Sequence, residues 1–359
     1  MDAIFMVGEQ RSGSNLLRVM LGQAPEIAAP HPPHILQRMM PLVPLYGDLE
    51  DEVTFRMLVD DVCQLVEHNP VPWENLTTFN RDDVARRCRV HSLVAVFGAV
   101  MDIYAEANGK SKWLCKSMTN IRYAKELDAY FGAPKYIYLY RDGRDVALSF
   151  TKAVIGDKHP YVIAHQWAEL QRLCLSHRAH APQRVFSLCY EELTAAPEAI
   201  LRRLCHFLGI AYTDTMLEGH TSTEASRTAC ASSLWENLTK PVIRDNSRKF
   251  LKELPAEDIS IIEAVAGDCL DVLGYARVSV QRGEEIFFDE DEIEAFHAKN
   301  RALVARREET TDAEDRARRQ RQQRVLDELQ ARLERRQRPP RLLDLDDDRR
   351  GLSVPLPQL

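Results

Sequence analysis

A chain of 359 residues with 45% hydrophobic composition can bury one large core or two smaller ones, and its length favours a single catalytic domain plus an appendage. The net charge of −7 argues against a protein built to coat nucleic acid, while leaving room for a local basic pocket inside an acidic whole. Eight cysteines without a C-x-x-C pair fit buried thiols in a reducing cytosol rather than disulfides or zinc, so no structural metal is expected.

The opening residues Met1-Asp2-Ala3-Ile4 carry neither a basic start nor a long apolar stretch, and they read as the beginning of a strand and not as a signal peptide. No membrane span appears along the chain, and a cytoplasmic location is expected. The apolar run Ile4 to Val7 leads into V-G-E-Q-R-S-G-S-N-L-L, residues 7 to 17, where Gly8 and Gly13 bound a loop that turns into a helix. Such a turn aims unpaired backbone N–H groups and the positive end of the helix dipole at one point, which makes it a cradle for phosphate. The glycine spacing matches the nucleotide loop G-x-x-x-x-G-K-[ST]. Ser14, however, stands where that motif has lysine, and Arg11 is the cation inside the loop.

From about Pro25 to Lys112 the sequence is proline-broken and mostly helical, through Pro30-His31-Pro32-Pro33-His34 and Asn69-Pro70-Val71-Pro72-Trp73. An insertion of this kind in an α/β protein caps the ligand crevice. Three short β-rich runs follow, Trp113 to Cys115, Lys135 to Tyr140 and Arg184 to Cys189. They interleave with helical periodicity over Ile121 to Phe131, Val146 to Val154, Tyr161 to His177 and Pro197 to Leu208, as in a parallel sheet with helices on both faces. The expected fold is therefore an α/β domain over residues 1–280, with a helical insertion at about 25–112 over the site.

From Phe288 the chain becomes strongly charged, and Asp289 to Gln337 predicts long helices in a solvated extension of residues 281–359. Leu326, Leu329 and Leu333 form a thin apolar seam there, which leaves self-association or partner binding as the alternative use. Pro339-Pro340 end these helices, and the acidic run Asp344 to Asp348 reads as a solvated tail.

The loop Gly8 to Asn15 resembles the 5′-phosphosulfate loop of sulfotransferases that use 3′-phosphoadenosine 5′-phosphosulfate (PAPS), where G-x-x-R-S-G-[ST]-x-L-L is typical. The run Tyr138 to Ser149 is similar to that family's 3′-phosphate site, with Arg141 at the end of a strand and Ser149 in the helix that follows. Two more ordered pieces match: Tyr190-Glu191-Glu192-Leu193 with Pro197 and Phe207-Leu208-Gly209, and the later Asn237 to Pro241. Together they span roughly residues 1 to 275. The Arg141-Asp142-Gly143-Arg144 run, the Leu114-Cys115-Lys116-Ser117 segment and Lys240-Pro241-Val242 place the likeness nearest, in motif, to the tyrosylprotein branch. The likeness to that branch does not bring its substrate with it, since no membrane anchor like that of the secretory-pathway enzymes is seen.

The resemblance implies a P-loop-like sulfotransferase fold, PAPS as donor with its desulfated product PAP, and no metal. It implies that Gly8, Gln10, Arg11, Ser12, Gly13, Ser14 and Asn15 hold the 5′-phosphosulfate, that Arg141 and Ser149 read the 3′-phosphate, and that Tyr190 and Lys240 contribute further nucleotide contacts. Arg11 and Lys116 are the cations expected to balance charge on the transferring group. The tyrosylprotein branch has a glutamate about twenty residues beyond the loop arginine; here that stretch reads Ala29-Pro30-His31-Pro32-Pro33-His34, and no carboxylate aligns. Histidine is the obvious replacement base, with His31 slightly preferred over His34 and Glu26 a remote third choice. Arg144 and Asp145 are expected to pair structurally at the helix start. The acceptor, whether peptide, carbohydrate, lipid or small metabolite, has no signature. Two rivals remain at this point: a P-loop kinase or other nucleotide-binding protein, which would want a lysine after Gly13 and an acidic strand end for magnesium, and a non-catalytic PAP(S)-binding or interaction protein.

Overall fold

The computed structural model describes residues 1–284 and 286–337. Strand β1 (Asp2–Gly8) alternates its buried side chains between two apolar cores: Ala3, Phe5 and Val7 enter one, Ile4 and Met6 the other. A strand buried on both faces belongs at the centre of a parallel sheet. Its neighbours β3 (Lys112–Cys115) and β4 (Lys135–Tyr140) divide their side chains the same way. With β2 (Ile27–Ala28) and β5 (Val185–Cys189) they form one five-stranded parallel sheet in the order β2-β3-β1-β4-β5. β2 falls inside the stretch read as a helical insertion, and its two residues are too few to show a period.

The register positions the site. Phe5 pairs with Cys115 on one side and Tyr136 on the other, Gly8 pairs with Leu139, and Tyr140 pairs with Cys189. Four adjacent strands therefore release Lys116, the glycine loop, Arg141 and Tyr190 at one edge. The chain crosses from β1 to β3 on one side and later to β4 on the other, so β1 and β4 flank the switch point where a parallel α/β sheet opens a crevice.

Helix α1 (Ser14–Leu21) leaves the loop directly. The insertion supplies α2 (Ile35–Met39), α3 (Val43–Tyr46), α4 (Glu52–Glu67), α5 (Arg81–Arg87) and α6 (Leu93–Ala107), which pack onto the Phe5 face of the sheet. Next come α7 (Ala124–Phe131), α8 (Gly143–Lys152) and α9 (Pro160–His180). The stretch from Ile121 to Phe131 is not one helix: a 3₁₀ segment, Met118–Tyr123, precedes α7. Gly143 starts α8 because a Cβ there would lie 2.9 Å from the Trp167 ring of α9. Helices α10 (Tyr190–Ala195) and α11 (Pro197–Leu208) follow β5; α12 (Thr223–Ala231), α13 (Phe250–Glu253) and α14 (Ala256–Val272) complete the body.

The charged helices α15 (Glu290–Glu309) and α16 (Ala313–Gln337) form as expected and stay exposed along most of their length, but each is docked on the domain along one side. Leu329 and Leu333 are 4% and 0% exposed and join the core beneath α3 and α4. Polar hooks do the rest: Gln322 Nε2 donates to the Leu65 carbonyl at 2.9 Å, Ser232 Oγ to Asp315 at 2.6 Å, and Arg332 pairs with Asp61. On α15, Asn300 Oδ1 accepts the N–H groups of Lys158 (2.7 Å) and His159 (3.0 Å). The leucine seam is thus spent inside the chain. Pro339-Pro340 and the Asp344 to Asp348 run lie outside the described residues.

Candidate active site

Gly8 is forced: at φ 132° a Cβ would fall 2.3 Å from the Leu139 carbonyl oxygen of β4, so only glycine lets the two strand ends run side by side into the turn. Arg11 (φ 66°) and Gly13 (φ 85°) are both left-handed, a backbone form that folds successive N–H groups into a concave anion nest. A Cβ on Gly13 would lie 2.4 Å from the Tyr190 ring. No side chain caps α1, so its first N–H groups stay available, and Ser12 Oγ is buried without a hydrogen-bond partner among the described residues. The Gln10 N–H, by contrast, is taken by Glu9 Oε1 at 2.6 Å, and Asn15 Oδ1 accepts from Arg18 Nε at 3.1 Å.

Cations converge on this nest. Arg11 Nε donates to Ser149 Oγ at 3.0 Å, so two groups expected at opposite phosphates touch. Arg141 spans from the Arg11 carbonyl (3.2 Å) to that of Asn246 (2.5 Å), lies 4.5 Å over the Tyr190 ring, and keeps a buried Nε without a partner. Burial, then Arg141, pushes Arg11 down to about 10. Lys116 is 6% exposed and has no carboxylate or hydrogen-bond partner among the described residues; burial, with Arg18 and Arg11, brings its ammonium down to about 7. Lys240 sits exposed on the rim, donating to Asn237 Oδ1 at 2.8 Å.

His31 and His34 line the same cleft of about 1120 Å³. Both imidazoles are held well below the ordinary histidine value, His31 by burial and then Arg18, His34 by burial and then Lys116, so both are neutral at working pH. The backbone of His31 is locked, its carbonyl accepting from Trp73 Nε1 (2.8 Å) and Asn69 Nδ2 (3.2 Å). Its Nδ1 faces the Asn69 amide nitrogen at 3.4 Å, which is a donor, so the ring proton is assigned to Nε2, a buried atom without a partner. His34 takes a left-handed conformation (φ 56°) at the start of α2 and uses neither ring nitrogen in a hydrogen bond among the described residues. Glu26 is not part of this cleft; it lies beyond the far edge of the sheet, its Oε1 accepting from the Ala211 N–H at 3.4 Å.

Arg144 and Asp145 are structural, though not with each other. Arg144 binds Asp142 and Glu263, and Asp145 accepts the N–H groups of Arg248 (2.6 Å) and Phe250 (3.0 Å). Several cleft residues had no signal in their local sequence. Glu9 is buried, accepts from Gln166 Nε2 at 3.0 Å, and is pushed up to about 7 by burial. Trp235 meets the His31 ring edge-on at 4.9 Å, and α16 contributes Arg319 and Gln322. Arg38 of α2 lines the cleft as well.

A model of the Sulfotransferase family matches residues 3–214. Protein-tyrosine sulfotransferase A of Caenorhabditis elegans is 24% identical over 285 residues, covering 76% of this chain and 67% of the relative. Protein-tyrosine sulfotransferase 2 of Gallus gallus is 24% identical over 293 residues, 77% of this chain and 70% of the relative. The sulfotransferase domain from the curacin biosynthetic pathway shares the fold, with a TM-score of 0.54 at 21% identity over 77% of this chain and 99% of that one. Among the described residues no helix is long and apolar enough to cross a membrane. Because the family match covers more than half of the chain and takes in the glycine loop, Lys116, Arg141 and Tyr190 together, this protein belongs to the sulfotransferase family.

Proposed function

We propose that the protein transfers a sulfuryl group from PAPS to a hydroxyl or amine of its acceptor. The observation that carries this reading is Lys116, a buried ammonium beside Arg11 and Arg18 without a counter-ion of its own, which a bound polyanion would supply. The open N–H groups of α1, the Ser12 hydroxyl and the Arg141 Nε fit a ligand with phosphate at both ends. When bound, PAPS supplies the sulfuryl group and leaves as PAP. The loop N–H groups and Arg11 hold and neutralise one end, and Arg141 with Tyr190 the other. Lys116 offsets negative charge where it develops. His34, neutral and with its ring unengaged, takes the acceptor's proton, while His31 Nε2–H donates a hydrogen bond that orients an oxygen in the cleft. All eight cysteines are free, which favours placing the reaction in the cytoplasm.

The test is thermal stability with adenosine 3′,5′-bisphosphate beside ATP and GTP, each with and without magnesium. A ligand at a hundredfold its Kd adds about 2.7 kcal/mol. Stabilisation by the bisphosphate without magnesium, lost in Arg141→Ala, is expected. A magnesium-dependent response to ATP or GTP alone would return the loop to the kinases.

A further inference from the structure

The cleft has two cationic ends. At one, Arg11 and Arg141 act on each other; at the other, Arg38 and Arg319 do, with Lys116 and His34 between them. Arg38 lies on α2, four residues past the left-handed His34 that precedes that helix, and both line the cleft. It is half-buried, yet among the described residues its guanidinium makes no ion pair and no hydrogen bond. Burial and Arg319 push it down to about 10.

Arg319 arrives from α16 and is held in place. Its Nε donates to Asp315 at 2.7 Å, a terminal nitrogen donates to Ser232 Oγ at 3.0 Å, and its guanidinium stands 5.5 Å over the Trp235 ring. Trp235 in turn meets the edge of His31. A guanidinium presents a rigid fork of donors matched to a planar oxyanion, and one that is half-buried and unpaired beside a second, fixed guanidinium costs folding free energy that a bound anion offsets.

We propose that Arg38, backed by Arg319, binds a carboxylate on the acceptor, so that the substrate is a small hydroxy or amino compound bearing a carboxylate, and that the C-terminal helix thereby takes part in choosing it. This rests on the sulfuryl-transfer reading above. A small acceptor is in keeping with the space: ligand pockets run to roughly 300–1,000 Å³, and the cleft measures about 1120 Å³.

The experiment titrates the full chain with 4-hydroxyphenylacetate and with its neutral amide, with and without saturating adenosine 3′,5′-bisphosphate, followed by calorimetry. Bisphosphate binding is scored separately, so failure of the donor reading is distinguished from failure of the carboxylate subsite. The carboxylate is expected to bind roughly 10- to 100-fold more tightly than the amide to the bisphosphate-loaded protein. Arg38→Gln is expected to erase that difference while leaving bisphosphate affinity unchanged and Tm unchanged or raised, because no folded-state partner is lost. Arg319→Gln weakens the preference and Arg319→Lys restores part of it. Equal responses to the two probes, no response included, overturn the proposal. So does a carboxylate preference that survives Arg38→Gln, or a response confined to an acidic peptide.

Discussion

Lys116 is kept in the fold against its own stability. Its folded value of about 7 lies below that of an unfolded lysine, about 10.4. Between the two the unfolded chain binds more protons, so the penalty is full below about pH 7 and is relieved as pH rises through that window. Lys116→Met is therefore expected to raise the Tm of the ligand-free protein by roughly 1–3 °C, while abolishing sulfuryl transfer; scanning calorimetry with an activity assay checks both. A bound polyanion favours the charged amine, so bisphosphate binding at about pH 8 should take up a proton, measurable by calorimetry in buffers of different ionisation enthalpy. The histidines separate by pH profile. His34→Gln is expected to lower kcat by roughly 10²–10⁴ and to remove the acidic limb of the profile, whereas His31→Gln keeps the limb and lowers kcat less. A His31 variant that loses the limb would exchange the two roles. Arg11, Lys116, Arg141 and the paired histidines were readable because each lies within a few residues of a strand exit or a proline run. Which histidine is free to accept a proton was not, since it turns on Asn69, thirty-eight positions from His31.

At the scale of elements, the sheet edge that carries Arg141 is braced from behind. Glu263 of α14 is fully buried, pairs with Arg144 of α8, and accepts the N–H groups of Val278, Ser279 and Val280. Burial raises its pKa, but these N–H donors and Arg144 outweigh it and hold the carboxyl below its ordinary value. Its contribution is thus present above the unfolded carboxyl value and lost as pH falls through the folded one. Glu263→Ala is expected to cost ~3–5 kcal/mol near pH 7, with the difference from wild type shrinking below about pH 4; denaturant titrations at the two pH values measure it. A pH-independent deficit would mean that the lost packing, and not the charge, carries the effect. The strands β1, β3, β4 and β5 and the helices α9 and α11 were legible from period and punctuation. β2 and the 3₁₀ turn before α7 were not, because two to six residues fall short of a period.

For the whole molecule, the C-terminal helices pack against the α/β domain and line its cleft. Leu333→Ala is expected to lower stability by about 2–5 kcal/mol and to raise the acceptor KM with little change in bisphosphate affinity. A solvated extension would leave both untouched; urea unfolding and steady-state kinetics decide. Three leucines over eight residues read as weak amphipathicity, and what docks α16 is mostly polar. Gln322 on a backbone carbonyl and Asp315 on Ser232 are contacts whose partners lie 257 and 83 residues away. No local pattern encodes such pairs.

The position of Arg319 also sets an order of assembly. Arg11, Lys116, Arg141 and Tyr190 belong to the first two hundred residues and Asn246 and Glu263, which brace that end, to the next hundred, whereas Arg319, which backs Arg38, belongs to the last described helix. During synthesis, when N-terminal segments fold first, the donor end can close while the ribosome is still at work. On the readings proposed above, the nascent enzyme would then hold its nucleotide before Arg38 has its backing guanidinium, and full selectivity would arrive with the final helix.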